Sequence, residues 1–146
     1  MGHTVLLVAN RTANTESLRE AVAERAARGA QAFYLVVPAI PHGLHRVVDP
    51  EVAGCEEARA ALDLALPALS QAAGCEVSGE VGSADPLAAI QDAMGRLSFD
   101  EIVISTLPHR VSRWLRLDLP SKVRGLGLPV AHVEAKVVPE DALAVT

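Results

Sequence analysis

Apolar and polar positions alternate along the chain in blocks whose period switches between that of a buried strand and that of an amphipathic helix. Residues 4–9 (TVLLVA) form an unbroken apolar run, as a strand covered on both faces does, and end in the polar loop Asn10, Arg11, Thr12, Ala13, Asn14. A helix is predicted from about Thr15 to Arg28, with Asn14 or Thr15 as its cap. Leu18, Val22, Ala26 and the stem of Arg25 form its buried stripe, and Gly29 is its stop. Residues 32–37 (AFYLVV) read as a second buried strand closed by Pro38. Residues 41–50 (PHGLHRVVDP) make a loop too long for a plain connection. From Glu51 to Ala73 the pattern is helical, with Ala58, Leu62, Ala65, Leu66 and Leu69 on one side. Pro67 predicts a kink or break there, and Gly74 ends the segment.

Residues 76–81 alternate Val77 and Val81 with polar positions and read as an edge strand. Gly82 opens a turn in which Asp85 caps a helix and Pro86 takes its first position, and Leu87, Ile90 and Met94 follow at helical spacing. The run Ile102, Val103, Ile104 is a strand, and residues 105–109 (STLPH) break it. An arginine-rich helix comes next, Gly125 and Gly127 stop it, and residues 129–133 (PVAHV) start a last strand. Five strands alternating with four helices predict an α/β fold with a parallel sheet and helices on both faces. Residues 1–136 are expected to form that domain and residues 137–146 a tail.

Composition narrows the picture. The aromatic residues are Phe33, Tyr34, Phe99 and Trp114, so the core must rest on Val, Leu, Ile and Ala. A formal net charge of -5 argues against nucleic acid as a general partner, since that binding draws on a basic face. Cys55 and Cys75 form no C-x-x-C pair and are expected to behave as small buried apolar residues in a reducing compartment. No apolar run approaches the ~20 residues that span a bilayer, and the chain opens strand-like, with no signal-peptide pattern. A cytoplasmic protein, with no membrane partner, is expected.

The residues that carry a family resemblance are the opening VLLVAN, the segment GEVGSADPLAAI and the block IVISTLPHRVSRWLRLDLPSKVRGLGLPVAHV. With these, the chain resembles the universal stress proteins of the adenine-nucleotide α-hydrolase-like superfamily over nearly its whole length. The resemblance implies a three-layer sandwich whose five-stranded parallel sheet has the order 3-2-1-4-5. It also implies a homodimer through the closing edge strand, and a cleft between strands 1 and 4 for ATP or another adenine nucleotide. In that order the loop after strand 1 lies beside residues 105–113. The chain departs from the family's G-x-x-G-x9-G-[ST] spacing. Ser105 and Pro108 stand at the first two glycines, Asp118 and Leu119 at the last pair, and Asn10 where an acidic residue often ends strand 1. Pro108 has no N–H, and Asp118 would bring negative charge toward the phosphates.

On this reading the candidate ligand-binding residues are Asn10, Arg11, Thr12, Gly82, Ser105, Thr106, His109, Arg110 and Arg113. Arg110 and Arg113, at i and i+3, would share one helical face and could both reach an anion; the same arginines also suit a solvated face. Trp114 could stack on a base or simply pack among Val111, Leu115 and Leu117. His42 and His45 with Asp49 are too thin a set for a metal, so none is expected. The chain has no G-x-S-x-G elbow, P-loop, G-x-G-x-x-G or H-E-x-x-H, and no residue set supplies both a nucleophile and an acid or base. A regulatory or sensor domain that binds a nucleotide or small anion is the first reading. A protein-interaction module with an empty crevice is the alternative, and a nucleotide-dependent enzyme the third.

Overall fold

A computed structural model describes residues 2–40, 50–109 and 111–135, with side chains from Gly54 onward in the second segment. Strands β1 (His3–Val8), β2 (Ala30–Pro38), β3 (Ser78–Gly82), β4 (Glu101–Thr106) and β5 (Val130–Glu134) form one parallel sheet, in the order β3-β2-β1-β4-β5. Helices α1 (Glu16–Ala27) and α2 (Pro50–Ala73) cover one face. The other carries α3 (Pro86–Arg96), α4 (Arg113–Arg116) and α5 (Leu119–Arg124). The three-layer α/β sandwich and the strand order expected from the sequence are both present.

Strict alternation sorts the central strands onto the two cores. Val5, Leu7, Leu35, Val37 and Val103 point to α1 and α2, where Leu18, Val22, Ala58, Leu62, Ala65 and Leu69 meet them. Leu6, Val8, Val36, Ile102 and Ile104 point the other way, onto Ile90, Ala93, Trp114, Leu119 and Val123. The aliphatic core is as composition required.

Local chemistry accounts for most element ends. Thr15 caps α1, its hydroxyl accepting the Leu18 N–H, and Gly29 follows with φ +106°. Asp85 caps α3 in the same way through the Leu87 N–H at 3.1 Å, with Pro86 at the first position.

Two expectations are corrected, and a third is narrowed. Of the kink or break expected at Pro67, the break does not occur, and α2 runs through to Ala73. Pro67 and Asp63, whose carbonyl loses its helical donor, both lie on the exposed side, where water can serve that carbonyl. The arginine-rich segment is two short helices instead of one, because Asp118 takes a left-handed conformation (φ 55°, ψ 43°) and Pro120 restarts the chain at the head of α5. Cys55 and Cys75 are exposed, not buried. The two-histidine loop at 41–49, Arg110 and the tail lie outside the described residues.

Candidate functional site

The cleft forms where the strand order reverses. β1 lies between β2 and β4, so the chain leaving β1 and the chain leaving β4 part toward opposite faces and open a crevice at the carboxyl ends of the strands. Val8 pairs with Ile104, so the next residues, Asn10–Thr12 and Ser105–Thr106, rise side by side. The Thr12 and Ser105 hydroxyls meet at 2.6 Å across 93 residues of sequence, both buried. Asn10 is anchored to the other neighbour, its amide donating to the Pro38 carbonyl at 2.6 Å.

Above this floor is a cavity of about 290 Å³, lined by Asn10, Arg11, Thr12, Ile40, Ser105, Thr106, Leu107, Val111, Ser112, Arg113 and Trp114. That volume stands at the small end of ligand sites, which run from about 300 to 1,000 Å³. Its chemistry is divided: Ile40, Leu107, Val111 and Trp114 give an apolar wall, hydroxyls and the Asn10 amide give the floor, and Arg11 and Arg113 give positive charge. Among the described lining residues no carboxylate offsets those two guanidinium groups.

Six of the nine candidate residues therefore line one cavity: Asn10, Arg11, Thr12, Ser105, Thr106 and Arg113. Gly82 does not. It pairs with Pro38 at the end of β3, where a Cβ would run into Ala89 at 2.8 Å and Val36 at 2.9 Å, so this glycine serves close helix–sheet packing. His109 also turns aside. Its backbone N–H and its ring both face the Glu134 carboxylate at the end of β5. Asp118 is exposed and lies outside the lining, so its charge does not enter the cavity.

Trp114 packs in the second core cluster at 9% exposure, and it also lines the cavity. Ser112 escaped notice in the sequence, although its spacing to Leu115 is a cap signal; its hydroxyl accepts the Leu115 N–H at 3.3 Å and starts α4. Behind the floor, Thr106 Oγ1 meets His132 Nε2 at 2.7 Å. Burial holds the His132 imidazole below its ordinary pKa, helped by Arg124 and opposed by Glu134, so the ring is neutral at pH 7. Glu134 is held below the usual carboxylate range, first by the His109 N–H.

The neighbouring carboxylates Asp100 and Glu101 stand away from this rim. Glu101, at the opposite end of β4, binds Arg25 at 3.0 Å and His3 at 3.3 Å. Among the described residues no cluster of His, Cys, Asp or Glu could hold a metal, and no helix is long and apolar enough to cross a membrane.

Solved structures share this fold over about nine-tenths of the chain. The universal stress protein of Archaeoglobus fulgidus superposes with a TM-score of 0.62 at 17% identity, covering 91% of this chain and 94% of its own. The fold is that of the universal stress proteins. The same archaeal protein in complex with dAMP matches with a TM-score of 0.57 at 18% identity, covering 91% and 98% of the two chains. A universal stress protein in complex with cAMP matches at 0.60 and 16% identity, covering 90% and 96%. No family model matches the sequence, and no curated protein matches it closely enough to count. A universal-stress-protein fold without a family-model match agrees with the loss of the loop glycines at Ser105, Pro108 and Asp118.

Proposed function

We propose that this protein is a universal-stress-protein-like regulatory or sensor domain that binds an adenine nucleotide or another small anion in the cleft between β1 and β4. One observation carries the reading. Arg11 and Arg113 face a cavity at the switch point whose described lining holds no acid, and hydroxyls and an aromatic wall complete it. The dAMP and cAMP bound by proteins of the same fold support it. Binding of ATP, ADP and AMP at equilibrium, with Arg113→Ala as control, is the test. Saturable binding lost in the variant is the expected result, and no binding by any of the three removes nucleotide from the reading. Hydrolysis of ATP above a blank, abolished by Arg113→Ala, would instead make the protein an enzyme.

The protein forms a homodimer joined through β5, which has one neighbouring strand among the described residues. A second reading, a surface for a protein partner, is favoured by Val111 and Leu117, which are 50% and 53% exposed on the same segment as Arg113. Retention of a partner by the wild type and by Arg113→Ala alike, with no nucleotide bound, would choose it.

A further inference from the structure

Loops that cradle several phosphates do so with free backbone N–H groups. Between Pro108 and Ser112 the described donors are already taken. Pro108 has none, the His109 N–H is held by the Glu134 carboxylate, and the N–H groups of Val111 and Ser112 both go to the Pro108 carbonyl, at 2.9 and 3.0 Å. Among the described residues from 108 to 112, no backbone donor is left for a row of phosphates. Positive charge comes instead from two side chains on opposite sides of the cleft, Arg11 after β1 and Arg113 at the start of α4. Neither is in an ion pair among the described residues. A planar guanidinium offers a fork of donors that matches the oxygens of one phosphate. A magnesium-chelated triphosphate asks for more: magnesium is held by carboxylates together with the phosphates, and the described lining has no carboxylate.

Resting on the anion-site reading above, we infer that the cleft takes a ligand with a single phosphate and no divalent metal, gripped by the side chains of Arg11 and Arg113. A second and third phosphate would bring charge that the spent N–H groups of residues 109, 111 and 112 do not offset, and the described lining has no carboxylate to hold a bridging cation. The shared chemistry is the phosphate dianion, whether it arrives on a nucleoside or as the inorganic ion.

Calorimetric titration of the full chain with adenosine, inorganic phosphate, AMP, and ATP with and without magnesium tests this at fixed ionic strength. AMP should bind at least about tenfold more tightly than adenosine or magnesium-ATP, and magnesium should not improve ATP. Arg11→Lys and Arg113→Lys should each weaken AMP by about tenfold, because an ammonium lacks the fork, with the thermal midpoint unmoved. Inorganic phosphate as tight as AMP supports the inference and names the free ion as the source. Magnesium-ATP tighter than AMP, or adenosine equal to AMP, overturns the inference and leaves the site standing. Binding of none of these ligands removes the site itself, and the inference falls with it.

Discussion

Thr12 and Ser105 tie the loop after β1 to the end of β4 with two hydroxyls, and each residue is about 1% exposed. Removing one leaves the other buried without its partner, which costs about 1–3 kcal/mol. Ser105→Ala is therefore expected to lower the unfolding free energy from urea titration by that amount. Ser105→Ala combined with Thr12→Val should cost less than the two single changes added together, a coupling of about 1 kcal/mol. Strict additivity in a double-mutant cycle would show that the two hydroxyls are not paired. Glu80 gives a second prediction at this scale. Burial raises its carboxyl, but hydrogen bonds from Arg96 at 2.5 Å and Tyr34 at 2.6 Å more than offset that and hold it below the usual range. Its contribution is then full above the unfolded value of about 4.3 and is lost as pH falls through the lower folded value. Glu80→Gln should cost about 1 kcal/mol at pH 7, a figure kept small because Arg96 is half exposed, and the gap from wild type should close in acid. Stability curves of the two proteins from pH 7 to 3 check this. The hydroxyls of Thr12 and Ser105 were visible in the sequence as polar positions at strand ends. The capture of His109 by Glu134 was not, because it depends on the lateral register of β5 against β4.

At the scale of elements, the segment between β4 and β5 departs most from its sequence pattern. Its arginines and leucines have helical spacing, yet the chain turns left-handed at Asp118 and makes two short helices. Periodicity counts side chains on a face and is blind to the sign of φ. Asp is among the few non-glycine residues that tolerate this conformation, so nothing in its identity announced the turn. Asp118 also occupies a position where the family pattern has glycine, the residue best suited to a positive φ. Asp118→Val is thus expected to cost about 1–2 kcal/mol from backbone strain, while Asp118→Gly should leave stability nearly unchanged. Thermal midpoints of the two variants decide it, and a well-tolerated valine would mean that the turn is not left-handed. The uninterrupted α2 has the opposite lesson. A proline removes one hydrogen bond, but the packing of Ala58, Leu62, Ala65 and Leu69 on the sheet extends along the helix on both sides of position 67 and holds it together.

For the whole molecule, the order β3-β2-β1-β4-β5 leaves β3 and β5 as the two edges. The proposed dimer uses the second. Light scattering across a concentration series should give twice the chain mass at micromolar protein. A monomer at all concentrations would end the dimer proposal. The cleft belongs to this scale too, since Arg11 and Arg113 come from segments about a hundred residues apart and meet only because β1 and β4 are neighbours.

Amino-acid order alone was enough for the strands, most of the helices, their caps and the two-sided core, because these follow from local periodicity and from which side chains avoid water. Family likeness in the same residues supplied the strand order. What tertiary structure decided was the use of each donor and each charge: which N–H groups of the loop are spent, which arginines face the cavity, and that Asp118 and His109 look elsewhere. Those outcomes depend on distances between residues far apart in the chain, and hydrogen bonding falls off too steeply with distance and angle for any one-dimensional pattern to encode them.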